Sequence, residues 1–256
     1  MKCNQLIEFL EQIAPLSMAE AWDNVGLLVG TRTREIKRVY IALDATDEVI
    51  EAAISNQADL LLTHHPLIFN PIKSMTGDDF IGRRIIKLIK ADMIYYAMHT
   101  NFDVSVMADL AAEYLKLTNL EILEKTDETH GIGKVGCLPN EMTVNDLCQY
   151  VKEVFTIESV KVFGDCNAKI KRVAVLPGSG KSYIQNTIQS QADVMITGDI
   201  GHHEGIDAVA QGLIIIDAGH YGIEHIFVKY MQDYFNSRID EIEVFAEEIS
   251  SPFRIL

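Results

Sequence analysis

Histidines and carboxylates supply the chemistry this chain could do. An apolar run, Leu60-Leu61-Leu62-Thr63, ends in His64-His65 and then Pro66. Proline cannot continue a central strand, so the pair stands at a strand's C-terminal edge. That edge is where open α/β sheets bind ligands. Neighbours on a strand point to opposite faces, but where the chain turns, two adjacent imidazoles can reach two different metal ions. Taken alone, the pair reads equally well as hydrogen-bonded core residues. His220-Tyr221-Gly222-Ile223-Glu224 follows a strand-breaking Gly219. If helical geometry begins there, His220 and Glu224 lie one turn apart on one face. An imidazole plus a carboxylate at that spacing suits a first-row divalent metal. Asp103, in His99-x-x-x-Asp103, offers another carboxylate. A carboxylate can bridge two cations, which sit roughly 3.5–4 Å apart and activate a shared water.

Two further histidines are candidates for proton chemistry. His99 lies one helical turn from Asp103 and reads as an outer donor or proton shuttle, with simple packing as the alternative. His202 and His203 follow Thr197-Gly198-Asp199. They read either as substrate-holding groups, His203 then serving as acid/base beside His99, or as solvated helix-cap residues. His225 reads as a helix-face residue and Asp217 as the structural end of a core strand.

The elements that must position these groups alternate. Leu6, Ile7, Leu10 and Ile13 mark an amphipathic helix that stops at Pro15. Trp22-Asp23-Asn24 reads as a turn entering a short strand, and Arg38–Leu43 as a second strand. Thr46 with Asp47 and Glu48 is a cap signal for a helix through Ser55. Helices are predicted over 79–91, 108–115 and 144–155, and strands over 93–98 and 159–163. The Gly- and charge-rich stretch 121–142 reads as irregular or edge structure. Strands alternating with helices of about 10–15 residues predict α/β units.

The chain also repeats itself. Ile36-Lys37-Arg38-Val39 recurs as Ile170-Lys171-Arg172-Val173, and Gln57-Ala58-Asp59 as Gln191-Ala192-Asp193, both 134 residues on. His99-x-x-x-Asp103 is echoed by His220-x-x-x-Glu224. The expected architecture is therefore two related α/β lobes from an internal duplication, with a metal site in the cleft between them. The first lobe is set at 1–125, with 241–256 packing back on it, and the second at 126–240.

Composition limits the function. A formal charge of −15 with no Lys/Arg cluster disfavours nucleic acid as a partner. A metal can reverse the local field, so a small anionic substrate stays open. The four cysteines, Cys3, Cys137, Cys148 and Cys166, form no C-x-x-C pair and read as reduced thiols. No apolar run reaches the roughly 18 residues of a membrane span, and the N-terminus is acidic where a signal peptide is apolar. A cytoplasmic protein is expected.

Trp22-Asp-Asn-Val-Gly-Leu27, Thr63-His-His-Pro-Leu-Ile-Phe69, His99-Thr-Asn-Phe-Asp103, Thr197-Gly-Asp199 and Gly219-His-Tyr221 with Glu224 occur in order. With these motifs, spread over nearly the whole chain, the sequence resembles the Ngg-interacting-factor-three-like family, the GTP cyclohydrolase I type 2 homologues, in its short form. The resemblance implies a dinuclear metal site from His64, His65, Asp103, His220 and Glu224, with two divalent ions per subunit that sequence does not assign among Zn, Fe, Mn, Co and Ni. It also implies a toroidal homohexamer, a trimer of dimers, and a hydrolase opening the imidazole ring of GTP or acting on a related purine nucleotide. A non-catalytic metal-binding protein, for metal delivery or as a regulatory partner, is the competing function. The chain departs from the family pattern at Val104-Ser-Val-Met-Ala-Asp109, where Gly-Gly-x-Asn is common, and at Pro177-Gly-Ser-Gly180, where Gly-Gly-Ser-Gly is usual. Gly178-Ser-Gly180-Lys181-Ser182 imitates a nucleotide loop, but the required first glycine is Val175.

Overall fold

The computed structural model describes residues 1–255. In chain order the elements begin with α1 (Cys3–Glu11), β1 (Gly26–Val29), β2 (Arg38–Ala42), α2 (Asp47–Ser55) and β3 (Leu60–Thr63). Then come α3 (Phe80–Lys90), β4 (Ile94–Ala97), a single turn α4 (Thr100–Phe102) and, after a wide π-type turn at Asp103–Met107, α5 (Ala108–Tyr114). β5 (Thr118–Lys125), β6 (Gly131–Thr143), α6 (Val144–Val154), β7 (Lys161–Phe163), β8 (Lys169–Ser179), α7 (Ile184–Gln189) and β9 (Val194–Gly198) follow. The last are α8 (His202–Ala210), β10 (Ile214–Asp217), α9 (His220–Glu224), α10 (Ile226–Asn236) and β11 (Glu243–Ala246).

These form a mixed α/β fold with two sheets, each in its own compact unit. The first unit comprises Met1–Phe102 and Phe227–Ile249. Its sheet runs β1-β4-β3-β2-β11, parallel except for the antiparallel edge strand β1. β3 and β4 are buried along their whole length, as their unbroken apolar runs require of central parallel strands. Thr46 caps α2 by accepting from the Val49 amide (3.2 Å), and Asp79 caps α3 by accepting from Gly82 (2.8 Å). Tyr95, Leu61, Ile50 and Leu88 lie in the core between helices and sheet.

The second unit comprises Asp103–Ile226 and the chain from Ser250 onward. Its sheet runs β5-β6-β8-β9-β10-β7, with β8, β9 and β10 parallel and the remaining pairs antiparallel. Of the two readings of 121–142 the edge one holds: the stretch falls in β5, β6 and the turn between them, a long antiparallel pair with β5 at the sheet edge. Its glycines permit close pairing rather than a loop, since a Cβ at Gly131 would lie 2.1 Å from the Glu124 carbonyl oxygen. That pairing also assigns residues 118–125 to the second sheet, and the chain passes between the compact units at 102/103, 226/227 and 249/250.

Candidate metal centre

In the first unit three histidines converge. His64 ends β3 fully buried, and its Nδ1–H donates to the Met98 carbonyl oxygen at 2.8 Å. His65 is tied into the sheet end by its amide, which donates to Leu43 O (3.0 Å), and its Nδ1 bonds Asp44 Oδ1 at 2.8 Å. His99 follows β4, and its Nδ1 bonds Asp23 Oδ1 at 2.9 Å. Ring nitrogens of His64, His65 and His99 all lie within 4.8 Å of one another.

The turn that carries His64 and His65 is held from below. The Tyr95 hydroxyl donates to the His65 carbonyl (2.9 Å), accepts from the Leu67 amide (2.8 Å) and lies 2.6 Å from Thr63 Oγ1. Burial pushes the Tyr95 phenol well above its ordinary pKa, so it stays a neutral donor. Asp23 does the same for His99. Burial alone would raise its pKa, but hydrogen bonds from the His99 ring and from Thr100 outweigh it and hold the carboxyl at about 2. Asp23 Oδ2 accepts from both the Thr100 amide (3.0 Å) and hydroxyl (2.5 Å).

In the second unit α9 opens directly at His220, after Gly219 in the left-handed region (φ +76°). One turn on, Glu224 Oε2 lies 2.9 Å from His220 Nε2, and the glutamate is only 3% exposed. His220 Nδ1 bonds Asp199 Oδ2 at 2.8 Å. A carboxylate oxygen of Asp103, from the π-type turn, lies within 4.8 Å of one of Glu224. Asp217 closes β10 structurally: its Oδ2 meets Lys161 Nζ (2.8 Å) and the Ile200 amide (3.0 Å).

These donors fit a divalent cation. Each of the four histidines has its Nδ1 engaged by a carbonyl or carboxylate, which orients Nε2 as the lone-pair nitrogen, the arrangement typical of metal-binding imidazoles. A carboxylate as buried as Glu224 is costly in a low-dielectric site unless a cation matches it. His64, His65, His99, Asp103, His220 and Glu224 are all members of clusters that could hold an ion; His202 and His203 are not. Those two are exposed at the start of α8, with ring centroids 5.2 Å apart. His225 is buried, and burial holds its imidazole pKa below the ordinary value.

The sequence does not single out Asp23, Asp44 or Asp199 as ring-orienting groups: Asp23 reads there as a turn residue, and Asp199 only as the end of Thr197-Gly198-Asp199. A signal is present for two: Asp44 stands two residues past β2 and Asp199 directly follows β9, each at a strand's C-terminal end as the histidines are.

Comparisons with known proteins place the chain in a family. The family profile of Duf34/NIF3 (NGG1p interacting factor 3) matches residues 1–252. The GTP cyclohydrolase 1 type 2 homolog of Clostridium perfringens is 37% identical over 263 residues, covering 100% of both chains. A Staphylococcus aureus hypothetical protein of known crystal structure superposes with a TM-score of 0.92 at 32% identity, covering 100% of this chain and 99% of that one. A Bacillus cereus protein related to NIF3 does so with a TM-score of 0.91 at 26% identity, again covering 100% and 99%. A profile match over residues 1–252 and a 37% identical relative covered in full settle the affiliation: this chain belongs to the Duf34/NIF3 family.

Proposed function

We propose that this chain is a dinuclear metal protein acting as a metal-dependent hydrolase on a purine nucleotide, with His64, His65, Asp103, His220 and Glu224 holding two divalent ions. The observation that carries it is the set of imidazoles at the strand ends, each backed at Nδ1 by a carbonyl or carboxylate. When bound, such ions lower the pKa of water and polarise an electrophilic carbon or phosphorus.

The chain's own residues divide the remaining work. Met98 O fixes His64 in one tautomer, and Asp44 and Asp199 orient His65 and His220. His99 is the proton carrier. Asp23 holds its Nδ1, which leaves Nε2 as the nitrogen that exchanges a proton. His203 is a second, solvent-facing acid/base candidate. GTP as substrate follows from the relatives' name, and a cytoplasmic homohexamer, a trimer of dimers, from the family resemblance.

Elemental analysis paired with a screen of nucleotides and phosphoesters tests the proposal. Two ions per subunit and conversion of GTP are expected, with His64→Ala and Glu224→Ala each losing metal and turnover. Turnover persisting in a metal-free His64→Ala/His65→Ala double variant would sink the metal-enzyme reading. Two tightly held ions with no turnover across the panel would establish the non-catalytic metal protein instead.

A further inference from the structure

Two large aromatic rings are left open to solvent beside the histidine cluster of the first unit. Trp22 is 58% exposed and Phe69 50% exposed, with ring centroids 5.7 Å apart and planes at 51°. His99 is the third ring of this group, edge-on at 6.0 Å from Trp22 and 6.4 Å from Phe69. Two exposed rings side by side next to a polar cluster offer a ligand an apolar surface at the edge of reactive groups.

Their position is built rather than incidental. Trp22 adjoins Asp23, whose side chain is fully buried and accepts from His99 and Thr100. On the other side, Asn24 Nδ2 donates to the Ile68 carbonyl at 2.6 Å, fastening the segment that carries Phe69 to the segment that carries Trp22. The two rings are therefore presented together by hydrogen bonds from the residues next to them.

We propose that Trp22 and Phe69 form a stacking platform for the planar heteroaromatic ring of the substrate. This rests on the reading of the histidine cluster as the reactive site and assigns the residues that recognise the substrate's ring. A ring inserted between the two aromatics would need about 7 Å, twice the carbon contact distance. At 5.7 Å and 51° the pair takes no third ring between its members, so the ligand ring stacks on the outer face of one and meets the other at a tilt. Stacking of a nucleobase on aromatic side chains tolerates any base. The platform thus supplies affinity for a flat ring, while His99 brings that ring's edge to the histidines.

Trp22 is the only tryptophan of the chain, so its fluorescence reports the platform directly. The test titrates metal-loaded protein with guanosine 5′-monophosphate and, separately, with ribose 5-phosphate. Saturable quenching by the nucleotide, absent with the sugar phosphate, is expected. Phe69→Leu, which keeps an exposed apolar side chain and removes the ring, should weaken binding about tenfold, the scale of one lost base-stacking contact. Equal affinity for the sugar phosphate, or an unchanged constant in Phe69→Leu, overturns the proposal. So does a Trp22 signal that follows protein concentration instead of nucleotide, which would put a second copy on the rings. The readout is binding: nucleotide-dependent quenching without turnover upholds the platform while the hydrolase reading fails, and turnover without a Trp22 response does the reverse.

Discussion

Gly178 packs directly against Glu224. A Cβ placed on the glycine would lie 2.3 Å from Glu224 Oε1 and 3.8 Å from His220 Nε2, and the residue sits in the left-handed region at φ +75°. The Gly178-Ser-Gly180 stretch that imitates a nucleotide loop is therefore the wall of the carboxylate's site. Only a residue without a side chain leaves room for Glu224 there.

Gly178→Ala should accordingly disturb metal retention while leaving the sheet intact. The new methyl group displaces a buried carboxylate that has little room to swing, and the backbone conformation is strained as well. Outer contacts of metal ligands are typically worth 10–100-fold in affinity, and a loss of about tenfold is expected here. Metal content after dialysis, beside a circular dichroism spectrum, measures it. Full retention with a native spectrum would remove Glu224 from the ligand set.

The repeat in the sequence corresponds to one structural device used twice. Asp59 Oδ2 accepts from the Lys37 and Arg38 amides (2.8 and 2.9 Å), and Asp193 Oδ2 accepts from Lys171 and Arg172 (both 2.8 Å). Gln57 and Gln191, two residues earlier, both adopt a positive φ. Asp193→Ala removes a solvent-exposed acceptor shared by two β8 amides and should cost about 1 kcal/mol. Urea denaturation followed by a probe in the second unit measures this. A change below a few tenths would show that water replaces the carboxylate without loss.

The repeat explains why so much of the fold was legible. Its repeated parts are strand starts, turns and strand ends, where Asp59, Thr63 and their counterparts Asp193 and Thr197 bond partners in the same unit. Caps such as Thr46 and Asp79, and the helical pairing of His220 with Glu224, are also set within one or two turns of chain. What escaped was long-range. Asp23 meets His99 across 76 residues, and nothing local distinguishes it from an ordinary turn aspartate. The edge reading of 121–142 holds for β5, but its pairing with β6 escaped because the glycines, needed for close strand approach, carry the composition of a loop.

Asp23 makes acid stability measurable at a single group. Its carboxyl is held at about 2 against an ordinary 3.8. A depressed folded-state pKa contributes stability that is present above pH 4 and lost as pH falls towards 2. The contribution is about 2 kcal/mol by linkage. Asp23→Asn should therefore be less stable than the parent at pH 7, and the gap should close between pH 4 and pH 2. Denaturation midpoints of both proteins across that window, plotted as a difference, give the answer. A gap that stays constant would mean the carboxylate's charge contributes nothing.

Ligand and non-ligand histidines should separate on metal removal. An ion that binds only the folded chain at 100 times its Kd adds about 2.7 kcal/mol. For a protein of this size each kcal/mol moves Tm by about 2–4 °C, so stripping and reloading should shift it by about 5–10 °C. His64→Ala and Glu224→Ala should abolish that difference between the loaded and stripped forms. His203→Ala should preserve it in full, because His203 is exposed and belongs to none of the clusters of possible ligands among the described residues. Should His203→Ala cancel the shift while His64→Ala keeps it, the ion would have to be held by α8, and the strand-end histidines would revert to structural residues.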